Sequence, residues 1–341
     1  MRALMVRSIG PGVTVQDLGR AGLLGSGLSR GGAMDRLALY EGAALLRQSP
    51  GLAAVEMAGF GGVFEASADM RIALTGAPMR AEIDGKAVAW SASHLLPKGA
   101  QLSIGPAVLG FYGYLHVGGG FDTPVRLGSR SAHLAGGIGS AVAAGDTLPV
   151  ADDPDPGVIG FGIDAEPRFE GGTVRVLCGP QTPLFADNEL ARFAAETFRR
   201  DTRGNRMGVR FLPSGAPFKS EVGLSVLSEV VVPGDIQITG DGTPFILMAE
   251  CQTTGGYPRI GTVLHADLPR VAQARPGDTL RYEFVDIDKG MAIEAAARKD
   301  WQRPSARIRR LVRLPEEIPD LLSYQLIGGV TAGDDLERHD Q

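Results

Sequence analysis

Short apolar runs separated by turn residues fill the first half of the chain. Val63-Phe-Glu-Ala, Met70-Arg-Ile-Ala-Leu-Thr75, Ala81-Glu-Ile-Asp-Gly85 and Gln101-Leu-Ser-Ile-Gly105 alternate in this way, and Val108 to Val117 is the longest run. This spacing predicts strands of an antiparallel β sandwich or barrel. Residues 2–9 read as a first strand closed by Gly10-Pro11-Gly12. Helical periodicity surfaces in three places: Asp35 to Leu46, Asp187–Arg199 with Leu190, Phe193, Ala194 and Phe198 on one side, and Ile293–Lys299 as the end of a helix.

The second half replays the first. Val174-Arg-Val-Leu-Cys-Gly179-Pro180 echoes Leu4 to Pro11, and a strand precedes Gly255-Gly256 as one precedes Gly118-Gly119. Gly277-Asp278-Thr279-Leu280 repeats Gly145-Asp146-Thr147-Leu148. Three landmarks in the same order indicate internal duplication. The expected division is a β domain over 1–150, a linker over 151–171, a second β domain over 172–287, and a tail over 288–341 that is partly helical and disordered at its end.

At 341 residues the chain has room for two domains, and 44% hydrophobic content supplies their cores. Forty-eight glycines and 22 prolines suit many tight turns. A net charge of −5 gives no reason to expect nucleic acid, and the basic tail segment with Arg303, Arg307, Arg309, Arg310 and Arg313 reads as a solvated face or a contact between subunits. Cys178 and Cys251 form no CxxC pair, and no apolar run approaches the roughly 20 residues needed to span a bilayer. The expectation is a cytoplasmic protein, with no membrane partner and no metal.

The chemistry concentrates after the apolar run Thr243–Ala249. Gln252, Thr253 and Thr254 supply amide and hydroxyl groups, Gly255-Gly256 lets backbone approach a ligand or take up positive φ, and Tyr257-Pro258 stiffens the exit. The same composition also builds a plain turn. Gln16, Asp17, Arg20, Met34, Asp35 and Arg36 form a first polar constellation, in which both aspartates serve equally well as caps. Gly204-Asn205-Arg206-Met207-Gly208 forms a second. His265 beside Asp267 is the candidate for proton chemistry, whereas His116, inside an apolar strand, reads as a core histidine. No Walker A or dinucleotide fingerprint occurs. Gly27-Leu28-Ser29-Arg30-Gly31 matches G-x-S-x-G, but Ala21–Ser26 is a poor strand for a nucleophile elbow.

Val13-Thr-Val-Gln-Asp-Leu-Gly-Arg20, Gly32-Ala-Met-Asp35, Asn205-Arg-Met-Gly208, Val232-Pro-Gly-Asp-Ile-Gln237, and Gln252 to Pro258 with Ala266-Asp-Leu-Pro269 occur in family order. Over about residues 4–285 the chain resembles the biotin-dependent carboxyltransferase family, also called allophanate hydrolase subunit 2, whose bacterial members include the C subunit of 5-oxoprolinase. The resemblance implies two tandem cyclophilin-like β barrels. It also implies partner subunits A and B and conversion of 5-oxoproline to glutamate with ATP used by the complex. Related members move carboxyl groups from carboxybiotin to urea, or bind a kinase-inhibitor protein as regulators; no biotin-attachment lysine motif is present, so carboxybiotin would arrive on another protein. On this reading Gln252 and the Gly255-Gly256 backbone suit a developing oxyanion, Arg206 or Arg259 the substrate carboxylate, and Asp17, Asp35 or His265 proton handling. Asn205, Thr253, Thr254, Tyr257 and Gln16 complete the expected binding set.

Overall fold

The protein is described by a computed structural model covering residues 2–223 and 226–312. The chain is mainly β. In the C-terminal half seven strands close into a barrel in the order Gly172–Leu177, Arg259–Val263, Asp235–Ile238, Pro244–Leu247, Gly208–Pro213, Phe198–Gly204 and Thr279–Val285. Alternate residues point inward, so Val174, Val176, Phe211, Ile236, Ile238, Leu280 and Tyr282 are buried in one core. Helix α2 (Asp187–Ala195) drives Phe193 into that core, stacked 4.7 Å from Tyr282 and packed on Phe198 and Phe218. Phe198, expected on the helix, opens the next strand instead, because the chain turns to extended geometry at Glu196.

The N-terminal half packs two sheets face to face. One has the order Thr147–Pro149, Ala3–Ile9, Gly62–Ala66, Gln101–Ala107, Met79–Ile83, Lys86–Ala87. The other runs Thr14–Gln16, Ala54–Ala58, Tyr112–Val117, Met70–Gly76, Ala92–Leu96, Phe161–Ile163, Ile308–Arg310. Leu4, Val6, Phe64 and Leu102 from the first sheet meet Val55, Met57, Ile72 and Leu115 from the second. Helix α1 (Arg36–Leu45) covers the outer face of the second sheet and buries Leu37, Ala38, Leu39 and Leu45.

The repeated Gly-Asp-Thr-Leu landmark does the same job in both halves. Gly145 (φ 92°) and Gly277 (φ 99°) turn the chain in the left-handed region. The strand that follows each then pairs with the first strand of its own half. The sense differs: Thr147–Pro149 runs antiparallel to Ala3–Ile9, whereas Thr279–Val285 runs parallel to Gly172–Leu177.

The segment 151–171 is tied into the structure. Asp153 makes a bidentate pair with buried Arg71 (2.8 and 2.6 Å), Phe161–Ile163 joins a sheet, and Arg168 forms ion pairs with Asp35 and Glu41. Helix α3 (Leu268–Gln273) and helix α4 (Ile287–Trp301) follow. The tail then turns back to the N-terminal half, where Trp301 lies 6.1 Å from Tyr40 and Ile308–Arg310 extends the sheet beyond Phe161–Ile163. In that basic segment Arg307 and Arg309 meet Glu166 and Asp164. Arg313 and the terminal residues expected to be disordered lie outside the described residues.

Candidate functional site

The loop after Pro244–Leu247 is held from both sides. Thr254-Gly255 forms a short ribbon with Glu229-Val230, and Gln252 Nε2 donates to Gln237 Oε1 at 3.4 Å. Neither Gly255 nor Gly256 has positive φ. Glycine is needed at 255 for closeness instead, since a Cβ there would lie 2.5 Å from Gln237 Nε2. Arg259 is consumed within the chain: it donates to Glu229, Asp235, the Val230 carbonyl and Gln181. Tyr257 and Thr254 are exposed, and Thr253 accepts from Val231 N through its carbonyl. Next to this loop Cys251 is buried, and burial pushes its thiol up to about 12.

Arg206 is committed elsewhere. Its guanidinium pairs with Glu56 from the N-terminal half and Glu250 from the C-terminal half, and donates to the Gly32 carbonyl. Glu56 also accepts from Tyr114 Oη (2.7 Å) and Met34 N (2.8 Å). Burial raises the Glu56 carboxyl despite these partners, while its two carboxylates outweigh desolvation and raise Arg206. This network clamps the halves together. The neighbouring Asn205 uses its Oδ1 to cap its own turn at Met207 N, 2.8 Å away.

The two expected aspartates are likewise occupied. Asp35 caps α1 through Ala38 N and binds Arg168 and Gln273, each at 2.7 Å. Burial would raise Asp17, but hydrogen bonds from Ser129, Ser131, Arg130 N and Gly19 N hold its carboxyl below the ordinary value. Gln16 is buried beside it, bonded to Thr14 and the Ala132 carbonyl. His116 is a core residue as read, bonded to Thr75 at 2.8 Å and lowered by burial to about 3.

A cavity of about 340 Å³ opens between the halves. Its wall joins Arg20–Leu24, Ser29 and Arg30, Ala33, Met34 and Arg36 to Val232, Pro233, Met248, Ala249, His265, Leu268, Pro269 and Trp301. Ligand pockets commonly span roughly 300–1,000 Å³, so this one suits a small molecule. Arg20, Arg30 and Arg36 reach it, and among the described residues none of the three has a carboxylate partner within ion-pair distance. Arg20 spends two of its nitrogens on the carbonyls of Arg126, Ser129 and Ser131, and its buried Nη1 has no partner. Arg36 makes one long contact to the Gly31 carbonyl, and burial together with Arg30 pushes it down to about 10, still protonated at neutral pH. His265 stands at the rim. Partial desolvation, aided by Arg36 and Arg30 and opposed by Glu294, lowers its pKa. Asp267 does not relay to it, because both Asp267 oxygens bind Arg175.

Of the residues given a catalytic or substrate-binding role in the sequence, only His265 lines this cavity; Gln252, Arg206, Asn205 and Arg259 belong to networks outside it. Arg20 and Arg36 stood in the first polar constellation without an assigned role. The signal that separates them is the missing acid, which becomes visible only in the folded chain. Among the described residues no group of three or more His, Cys, Asp or Glu has metal-binding proximity.

A cavity whose lining arginines have no carboxylate partner among the described residues is set between two β-rich halves. The carboxyltransferase domain, subdomain A and B, matches residues 26–284, and the chain belongs to this family. Within it, the 5-oxoprolinase C subunit of Haemophilus influenzae is 35% identical over 303 residues, covering 88% of this chain and 95% of that protein. The Escherichia coli 5-oxoprolinase C subunit is 32% identical over 295 residues, covering 85% and 92%. The urea carboxylase structure from Kluyveromyces lactis shares the fold, with a TM-score of 0.80 and 23% identity over 93% of this chain and 30% of that one.

Proposed function

We propose that this chain is the substrate-binding subunit of an ATP-dependent 5-oxoprolinase, acting with partners like subunits A and B, and that 5-oxoproline occupies the cavity between the halves. The observation that carries this is the cluster of Arg20, Arg30 and Arg36 around a small cavity without an acid. A planar carboxylate satisfies guanidinium groups in pairs, and it restores the charge balance that burial of Arg36 disturbs. The relatives named as the C subunit of 5-oxoprolinase support the same reading.

Opening the lactam adds water to the ring carbonyl, breaks the ring C–N bond and places a proton on the leaving nitrogen. His265, neutral at neutral pH, is the group at the rim suited to exchanging that proton. The apolar wall of Met34, Val232, Met248 and Leu268 excludes bulk water and strengthens the guanidinium–carboxylate attraction. ATP enters through the complex. The family's carboxyltransferase name favours one second reading, transfer of a carboxyl group from carboxybiotin on a partner. In both, an anionic group meets the same arginines.

The test is glutamate release from 5-oxoproline and ATP by the chain and its two partner subunits, separately and mixed. Activity in the full mixture alone, lost in Arg36→Ala, supports the proposal. No release in any mixture, with carboxyl transfer seen once biotinylated partner is added, would transfer the site to the second reading.

A further inference from the structure

Ser29 is buried, lines the cavity, and places its Oγ 2.9 Å from His133 Nε2. With Glu250 3.9 Å from His133 Nδ1, the three side chains fall in the order of a serine–histidine–acid triad. The hydrogen bonds decide against that chemistry. His133 Nδ1 accepts the Gly136 N–H at 3.0 Å, so it carries no proton in the neutral ring. Glu250 does not bond Nδ1: one of its oxygens accepts Ala135 N at 3.0 Å and the other Arg206. The ring proton therefore sits on Nε2 and is donated to Ser29. The ring is also clamped, because a Cβ on Gly31 or Gly136 would come within 3.0 Å of it.

We infer that Ser29 is a hydrogen-bond donor to an oxygen of the bound anion, set in that role by His133, and is not a nucleophile. Its Oγ accepts from the imidazole, so its own proton is directed to the cavity, whose wall also holds Arg20 and Arg36. His133 is the positioning residue. The segment before Ser29 agrees: a single 3-10 turn, Leu24–Ser26, stands where a nucleophile elbow requires a strand.

The choice of 5-oxoproline as the ligand rests on the proposed function, and the tautomer does not, so two experiments separate them. In the full complex, Ser29→Ala raises KM for 5-oxoproline about 10-fold and leaves kcat within about twofold, as expected for one lost hydrogen bond to a charged group. His133→Phe reproduces that rise, and His133→Gln, which keeps an N–H near the Nε2 position, restores most of it. An unchanged KM in Ser29→Ala overturns the inference. Nitrogen-15 NMR of the full chain without substrate reads the His133 tautomer directly, with the proton expected on Nε2. A proton on Nδ1, or covalent labelling of Ser29 by a fluorophosphonate, also overturns it. A complex that never turns over 5-oxoproline removes the function proposal, and the NMR result still decides the role of Ser29.

Discussion

Two groups of arginines lie close together at the join between the halves, and they have opposite surroundings. Arg206 is gripped by Glu56, Glu250 and the Gly32 carbonyl, and Arg168 by Asp35 and Glu41. Arg20 and Arg36, at the neighbouring cavity, meet only carbonyls or nothing. A guanidinium with its acids already in place holds structure. One left without them in a concave wall is a candidate to receive an external acid.

That contrast breaks most decisively at Arg206. Arg206→Ala strands two buried carboxylates, and chemical denaturation is expected to show a loss of about 3–5 kcal/mol. A variant as stable as the parent would mean that the clamp is incidental. Next comes Arg36→Ala, whose thermal midpoint stays near that of the parent while kcat/KM for 5-oxoproline in the complex falls by about 10- to 100-fold, the range for a lost charge-assisted hydrogen bond. Equal effects of both variants on stability would erase the distinction.

Histidines sharpen the same comparison through pH. His116 has a folded-state pKa near 3 against an ordinary 6.5, so between those values the unfolded chain binds a proton that the folded chain refuses. Its contribution to stability is therefore complete above pH 6.5 and declines as pH falls towards 3. Denaturation at pH 7 and pH 4.5 should show a smaller acid loss in His116→Gln than in the parent. His265→Gln at the rim, whose pKa partial burial also lowers, should move that difference in the same direction and in addition lower kcat, an effect readable in the pH profile of glutamate release. The smallest effect is expected at Arg259, where Arg259→Lys alters a partly exposed pairing with Glu229 and should change activity less than twofold.

Much of the architecture was legible along the chain because strands and caps are local. The alternation from Val63 to Val117 became the two sheets, Asp35 sits as the cap of α1, and the repeated Gly-Asp-Thr-Leu marks the closing strand of each half. The cavity was not legible, since residues around 20–36, 232, 248, 265 and 301 converge on it only after folding. Whether an arginine is free is a long-range property too: Arg206 and Glu56 are 150 positions apart. The polar loop at Gln252 drew notice for its composition. Its glycines permit close packing on Gln237, and its arginine finds acids in the chain, so its polarity is largely spent internally.

Isothermal titration of 5-oxoproline into the full complex, comparing the parent with Arg36→Ala, tests the central claim most directly. The expected result is saturable binding in the parent and an affinity at least about 10-fold weaker in a variant that melts with the parent. Undiminished binding by the variant would contradict the claim that the acid-free arginines of the cavity receive the substrate.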